Sequence, residues 1–296
     1  MKLINSFFLS LLCIIAATSC NSGSNTDNAN AAATATADSA GSGSVDGFKL
    51  GVQMWTFRMF SVTDALNKVD SAGIKNIEAF FGQPLGGDMK GNFGPEMDAG
   101  TRAKLKALLQ SKGISIVAMG VISPKDKAEW VKAFDLAAEF GLSYITSEPK
   151  KDQWDMVDSL AGAYAIKVAI HDHPKPSGYW SPDSVLAAIK GHSNIGACAD
   201  IGHWPRSGLD PVECLKKLDG HVIGVHLKDI VAFDVINAAD TVVGKGIIDY
   251  PAVFKELKRQ NFNGMLSIEH ESNWYHNLPD VNKKKKYFND EVAKLK

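Results

Sequence analysis

The stretch IGACADIGH (residues 195–203) is a short apolar run that ends in an acidic residue, and similar runs occur twice more near the end of the chain. VIGVHLKD (222–229) and MLSIEHE (265–271) have the length of strands, and their polar residues also fall at the C-terminal end. The polar residues at these three ends include Asp200, His226 and Glu269. Because the carboxyl ends of parallel strands meet at one rim of a barrel, the pattern predicts that these side chains converge there.

Segments of strand length alternate with amphipathic segments of helix length from Phe48 onward, which is typical of a parallel α/β fold. Eight strands are predicted, at 50–57, 76–81, 115–121, 143–148, 167–171, 195–200, 222–227 and 265–269. Helices are predicted at 62–72, 96–112, 125–140, 152–164, 181–190, 210–218, 249–260 and 283–295. Eight such units favour a single-domain (β/α)₈ TIM barrel over a doubly wound open sheet.

The first 47 residues are expected to lie outside the barrel, which then occupies residues 48–296. Lys2, an apolar segment and small residues before Cys20 predict an export signal at residues 1–20. The ending Ala-Thr-Ser-Cys resembles a bacterial lipoprotein cleavage site, and residues 21–47 have the polar, low-complexity composition of a flexible linker. We therefore expect an exported protein that is lipid-anchored through Cys20 to the cell envelope, in the periplasm or at the outer membrane, with ordinary secretion as the alternative.

The composition of the 296-residue chain is that of an ordinary globular protein, with 45% hydrophobic and 22% charged residues. Its formal net charge of −1 provides no basic field to attract a polyanion. Nucleic acid is therefore not an expected partner, and the sequence does not predict an oligomeric state.

A carboxylate, an imidazole and a second carboxylate on three strand ends indicate a divalent metal site, because charged residues are rarely buried without partners. Such ligands suit Zn, Mn, Fe or Co better than Ca or Mg. Glu148 ends the fourth predicted strand, and its position makes it the natural fourth ligand. His171 and His173 follow the fifth strand on the same side of the chain, so either can contact the metal or a substrate oxygen. His203 lies one turn after Asp200 and can also face the barrel axis.

The polar segments of the second half resemble the xylose isomerase-like barrel superfamily, whose members are described as sugar phosphate isomerases and epimerases. The segments that carry the resemblance are EP (148–149), HDHP (171–174), DIGHWPRSGLDP (200–211), HLKD (226–229), GKGIIDYPAVFKEL (244–257) and GMLSIEHE (264–271). The resemblance implies one divalent ion, commonly Mn, Co, Zn or Mg, held by Glu148, Asp200, His226 and Glu269. It also implies substrate contacts from His203, His173 and Lys228.

Related endonucleases for abasic DNA carry a trinuclear zinc site with further histidines on the second and third strands. This chain has no histidine before His171, which argues against that activity. The segment GKGIID (244–249) lacks the spacing of a P-loop, so no phosphate clamp is expected.

The expected chemistry is proton abstraction next to a carbonyl group, through an enediolate that the metal stabilises. Glu148 and Glu269 are the expected proton-transfer groups, His203 is a further catalytic candidate, and Trp55 is a surface on which a sugar can stack. The leading expectation is a metal-dependent isomerase or epimerase with a carbohydrate substrate. A lyase or hydratase acting on 3-keto-glycosides and a non-catalytic sugar-binding lipoprotein are the two alternatives.

Overall fold

The computed structural model describes residues 44–45 and 47–295. The predicted export signal, Cys20 and most of the linker lie outside the described residues, so their assignment stays a prediction. Within the described part of the chain, no helix combines the length and the apolar character needed to cross a membrane.

Eight parallel strands form the centre of the molecule. They are β1 (Phe48–Gln53), β2 (Asn76–Ala79), β3 (Ser115–Ile122), β4 (Tyr144–Ser147), β5 (Lys167–His171), β6 (Ile195–Asp200), β7 (Val222–Leu227) and β8 (Met265–Ile268). Each strand pairs with the next, and β8 pairs with β1, which closes the sheet into a barrel. The predicted (β/α)₈ barrel is confirmed.

The helices follow the strands in the predicted order. They are α1 (Val62–Ser71), α2 (Ala99–Lys112), α3 (Lys127–Phe140), α4 (Trp154–Tyr164), α5 (Pro182–Ile189), the short α6 (His203–Arg206), α7 (Pro211–Lys217), α8 (Tyr250–Arg259) and α9 (Leu278–Val292). Their large apolar side chains, such as Trp130, Phe134 and Phe254, are fully buried in the core. Each such side chain contributes roughly 1.5–3 kcal/mol to folding.

The first strand is shorter than the predicted 50–57 segment. The side chain of Gln53 accepts the backbone N–H of Trp55 at 3.1 Å, and Met54–Phe57 form a 3₁₀ helix. Short antiparallel strand pairs also occur within the loops, Pro84–Gly86 with Met89–Asn92 and Asp229–Ile230 with Asp240–Thr241. Pairs this short have no periodicity in the sequence, so the apolar pattern did not predict them.

Bulky side chains fill the lower half of the barrel, where two glycines make room for them. A Cβ atom on Gly224 would lie 2.6 Å from the Tyr144 hydroxyl, and one on Gly51 would lie 2.4 Å from the Met265 sulfur. Tyr144 and Met265 are each the first residue of their strands and are buried. This layer closes the barrel beneath the polar residues that lie at the carboxyl ends of the strands.

Candidate metal centre

Four side chains from consecutive strands meet at the C-terminal rim of the barrel. His171 ends β5, Asp200 ends β6, His226 lies near the end of β7, and Glu269 directly follows β8. Each offers one ligand atom, these atoms lie within 4.8 Å of one another, and all four residues are buried. The Nδ1 atom of His226 lies 3.0 Å from Glu269 Oε2 and 3.9 Å from Asp200 Oδ2. This is the spacing of donor atoms around a single cation.

The four inward-facing atoms share one property: they are buried and have no hydrogen-bond partner within the described part of the chain. They are His171 Nε2, Asp200 Oδ2, His226 Nδ1 and Glu269 Oε2. An unsatisfied buried polar group costs about 1–3 kcal/mol. One divalent cation satisfies all four, and two imidazoles with two carboxylates suit Zn, Mn, Co or Fe. The residues therefore fit a metal ion.

Neighbouring groups orient the two central ligands. His226 Nε2 donates to Glu78 Oε2 of β2 at 2.9 Å, which directs its Nδ1 into the cluster. Asp200 Oδ1 accepts the backbone N–H groups of Gly202 at 2.9 Å and His203 at 3.2 Å, which leaves Oδ2 for the cluster. Glu78 was not predicted, although a single acid in the apolar run NIEAFF (76–81) was a visible signal.

The charge of the cluster favours a bound positive charge, whether a proton on His226 or a metal ion. Burial lowers the pKa of His226, but Cys198, Glu78 and Glu269 outweigh burial and hold this pKa well above its ordinary value. Burial raises the pKa of Glu269, yet Lys228 and His226 lower it to about 2. A metal ion bound at Nδ1 of His226 would compete with a proton for that nitrogen.

The structure places Glu148 beside this cluster rather than within it, which differs from the predicted ligand set. The strand β4 ends at Ser147, and Glu148 Oε1 pairs with His173 Nδ1 and lies 3.5 Å from His171 Nδ1. Ser147 of β4 is paired with Ile170 of β5, so Glu148 and His171 lie at the same level of the barrel, and His171 Nε2 lies 3.6 Å from Asp200 Oδ2. Glu148 belongs to a second, adjoining group of possible metal donors with His171 and His173, and its role as a ligand stays a prediction.

The predicted substrate contacts His203 and Lys228 are both buried at the edge of the cluster. Lys228 Nζ lies 3.0 Å from Asp200 Oδ2 and 3.3 Å from Glu269 Oε2, as ion pairs without hydrogen-bond alignment. Arg206 Nη1 lies 2.8 Å from His203 Nδ1 and Lys228 Nζ lies 3.2 Å from His203 Nε2, so both ring nitrogens of His203 face cationic donors. Burial lowers the pKa of His203 well below its ordinary value, and Lys228 adds to this effect. These contacts favour a neutral imidazole at His203.

A cavity of about 360 Å³ covers the cluster, and Trp55 and His173 line it as the sequence suggested. The guanidinium of Arg58 lies 4.6 Å from the centre of the Trp55 ring. Glu271 also lines the cavity, and burial raises its pKa. Glu271 was not predicted, although the alternation in EHE (269–271) places it on the same side of the chain as Glu269.

The chain belongs to the xylose isomerase-like TIM barrel family, whose model matches residues 66–293. The resemblance seen in the sequence is thereby confirmed. An inosose dehydratase from Clostridium botulinum (strain Alaska E43 / Type E3) is 30% identical over 144 residues, which cover 41% of this chain and 48% of the relative. The chain therefore spans about half the length of the curated relatives it matches.

Solved structures show the same barrel. An uncharacterized protein from Parabacteroides distasonis ATCC 8503 is 35% identical with a TM-score of 0.68, covering 82% of this chain and 99% of the other. The IOLI protein, crystallised with a zinc atom, is 18% identical with a TM-score of 0.67, covering 84% of this chain and 99% of the other. The zinc atom belongs to that neighbour; this chain has a buried set of four possible donors at its own barrel rim.

Proposed function

We propose that this protein is a divalent-metal-dependent enzyme that moves a proton next to a carbonyl group of a carbohydrate, as an isomerase or epimerase. The observation that carries the proposal is the set of four buried donor atoms, without hydrogen-bond partners in the described part of the chain, beside a cavity of about 360 Å³. That volume falls at the small end of the range for small-molecule sites. The apolar ring of Trp55 and the polar groups of the walls suit a sugar.

We assign the metal to His171, Asp200, His226 and Glu269, in place of the set that included Glu148. A divalent ion held there supplies positive charge to adjacent carbonyl and hydroxyl oxygens of a substrate. The ammonium of Lys228, at the edge of the cluster, is placed to donate a hydrogen bond to the same oxygens, and the neutral imidazole of His203 lies 3.2 Å from it.

We assign proton transfer to His173 and Glu271, which line the cavity from the loops after β5 and after β8. A general base works best when its pKa is near the working pH. Burial raises the pKa of Glu148, but hydrogen bonds from His171 and His173 lower it to about 2, and the pKa of Glu269 is also about 2. Both carboxylates named from the sequence are therefore weak bases.

The role of Glu148 is then to orient His173. Because Glu148 is ionised and pairs with Nδ1 of His173, that nitrogen carries a proton, and Nε2 is the atom left to accept one from a substrate. Glu271 follows β8, whereas His173 follows β5, so the two groups line the cavity from different parts of the barrel rim. Removal of a proton by one group and return by the other to the opposite face of the same carbon gives an epimerase, whereas return to the neighbouring carbon gives an isomerase.

The test is hydrogen exchange with the metal-loaded protein in deuterated water. Incubation with keto-sugars and 3-keto-glycosides should place deuterium on the carbon next to the carbonyl, as observed by NMR. His173→Gln and Glu271→Gln should each slow the exchange at least about 100-fold, whereas Asp88→Asn, a change on an exposed loop, should not. Absence of exchange with every keto-sugar, in protein that holds one metal ion per chain, would overturn the proposal.

A second candidate is elimination, as in a lyase or hydratase, and the name of the inosose dehydratase relative favours it. If the substrate carries a leaving group β to the carbanion, loss of that group competes with return of the proton. Release of water or of the aglycone in the same NMR experiment would identify elimination. Saturable sugar binding without exchange or release would identify the binding protein instead.

We also propose that the chain is exported and lipid-anchored through Cys20, on the evidence of the sequence of residues 1–20. Mass spectrometry of the N-terminal peptide from the envelope fraction tests this. An unmodified N-terminus beginning elsewhere would contradict the anchor.

A further inference from the structure

A second cavity, of about 420 Å³, adjoins the metal cavity, and the proposed proton transfer does not use it. Phe81 and Val121 line both spaces, so the two cavities are neighbours across these side chains. The second space lies between the loop after β2, the end of β3 and the first turns of α3. We call it the outer cavity. It is defined by Phe81, Pro95, Glu96, Ser123, Glu129 and Lys132, together with the backbone around Val121.

The walls of the outer cavity combine one aromatic ring with hydrogen-bonding groups of both kinds. Phe81 offers a flat apolar surface, Ser123 a hydroxyl group, and Glu96 and Glu129 carboxylates. Lys132 is the one cation among the lining residues, and its Nζ atom is paired with Glu96 Oε1 at 3.0 Å. A phosphate group would face more carboxylates than cations here. A neutral ring with several hydroxyl groups fits better, because it presents an apolar face to Phe81 and exchanges hydrogen bonds with donors and acceptors.

We propose that the outer cavity binds the second sugar ring of a glycoside whose keto ring lies in the metal cavity. The inference rests on the proposed function and narrows its substrate from a free monosaccharide to a two-ring sugar. Phe81 and Val121 then flank the linkage between the rings. Binding of the second ring contributes affinity without taking part in the proton transfer, and it therefore acts mainly on KM.

The experiment compares matched pairs of probes that differ in the second ring alone. The 3-keto derivatives of lactose and cellobiose are the two-ring probes, and the corresponding methyl 3-keto-glycosides are the one-ring probes. For at least one pair, the wild-type protein should exchange the two-ring probe with a kcat/KM at least about tenfold higher. Ser123→Trp, which fills the outer cavity from an exposed position, should remove this advantage through KM and leave the one-ring probe unchanged.

Lys132→Ala should reduce the same advantage several-fold, whereas the matched control Lys127→Ala, on the same helix but not lining the outer cavity, should not. Equal exchange of both probes, or an equal loss for both in Ser123→Trp, would overturn the outer-cavity inference while leaving the proposed function intact. If neither probe exchanges, the proposed function fails, and calorimetry of the same probe pairs then tests the outer-cavity inference. The inference stands if Ser123→Trp weakens the binding of a two-ring probe and not that of its one-ring partner, and it falls otherwise.

Discussion

Loading with a divalent metal should raise the thermal stability of this barrel by a large amount. Four buried donor atoms lack hydrogen-bond partners in the described chain, and the ion pairs of Lys228 with Asp200 and Glu269 satisfy two of them only in part. Metal at about 1,000 times its Kd adds about 4 kcal/mol to the free energy of unfolding. For a domain of roughly 250 residues, each kcal/mol shifts Tm by about 2–4 °C. The expected rise is therefore about 8–16 °C.

Variants of the site show which residues hold the ion. The assay is thermal unfolding of chelator-stripped protein during titration with Zn²⁺ or Mn²⁺, together with metal analysis of each variant. Asp200→Asn and His171→Gln should abolish the shift, because each removes one of the four clustered donor atoms. Glu148→Gln should keep most of it, because Glu148 lies on the opposite side of the His171 ring. Asp88→Asn, whose side chain is 77% exposed, is the control and should behave as wild type.

Two results would refute this reasoning. A metal titration that leaves Tm unchanged in the wild-type protein would remove the metal site itself. Loss of the shift in Glu148→Gln with retention in His171→Gln would show that the ligand set suggested by the sequence is correct and the assignment from the geometry is wrong.

Three further changes test other parts of the molecule. Glu78→Gln should weaken metal binding about 10–100-fold without unfolding the barrel, measured by competition with a chromophoric chelator, because the amide polarises His226 less. His192 donates from both ring nitrogens, to Ala188 O at 2.6 Å and Asp155 Oδ1 at 2.8 Å, and the hydrogen bond to Asp155 raises its pKa. The stabilisation from the His192–Asp155 pair is present below about pH 6.5 and is lost as the pH rises past the raised pKa of His192. Because Asp155 is exposed, His192→Gln should lower the free energy of unfolding by no more than about 1 kcal/mol at pH 5.5. Equal differences between the variant and the wild type in urea unfolding at pH 5.5 and at pH 9 would contradict this. Asp229→Ala should lower the free energy of unfolding in urea by about 2 kcal/mol or more, because the carboxylate accepts hydrogen bonds from four backbone N–H groups around the loop 231–247. The same variant should be cleaved faster by proteases within 231–247. An unchanged rate of cleavage would argue against this role of Asp229.

The order of strands and helices was predictable because it depends on local apolar patterns. Three of the four clustered donors, Asp200, His226 and Glu269, were predictable for the same reason, since each falls at the end of an apolar run. The order of Glu148 and His171 around the site was not, because both lie at the same level of neighbouring strands and only their side-chain contacts separate them.

Contacts between distant segments set the remaining parts of the site. Glu78 meets His226 from a strand that lies 148 residues earlier in the chain. Arg206 reaches His203 from the same short helix, but Asp240 and the Ala238 carbonyl hold it in place from the loop after β7. The periodicity of a single segment cannot predict contacts between distant segments. A charged residue in an apolar or short segment indicates only that the residue has a partner somewhere in the fold.

The layer of Tyr144 and Met265 has a consequence for the order in which the site fills. Because these buried side chains fill the barrel beneath the cluster, a metal ion would reach the four donor atoms through the cavity that we assign to the sugar. If the proposed function holds, a bound sugar would cover the route by which the ion leaves. The protein would then be most exposed to chelators when no substrate is bound.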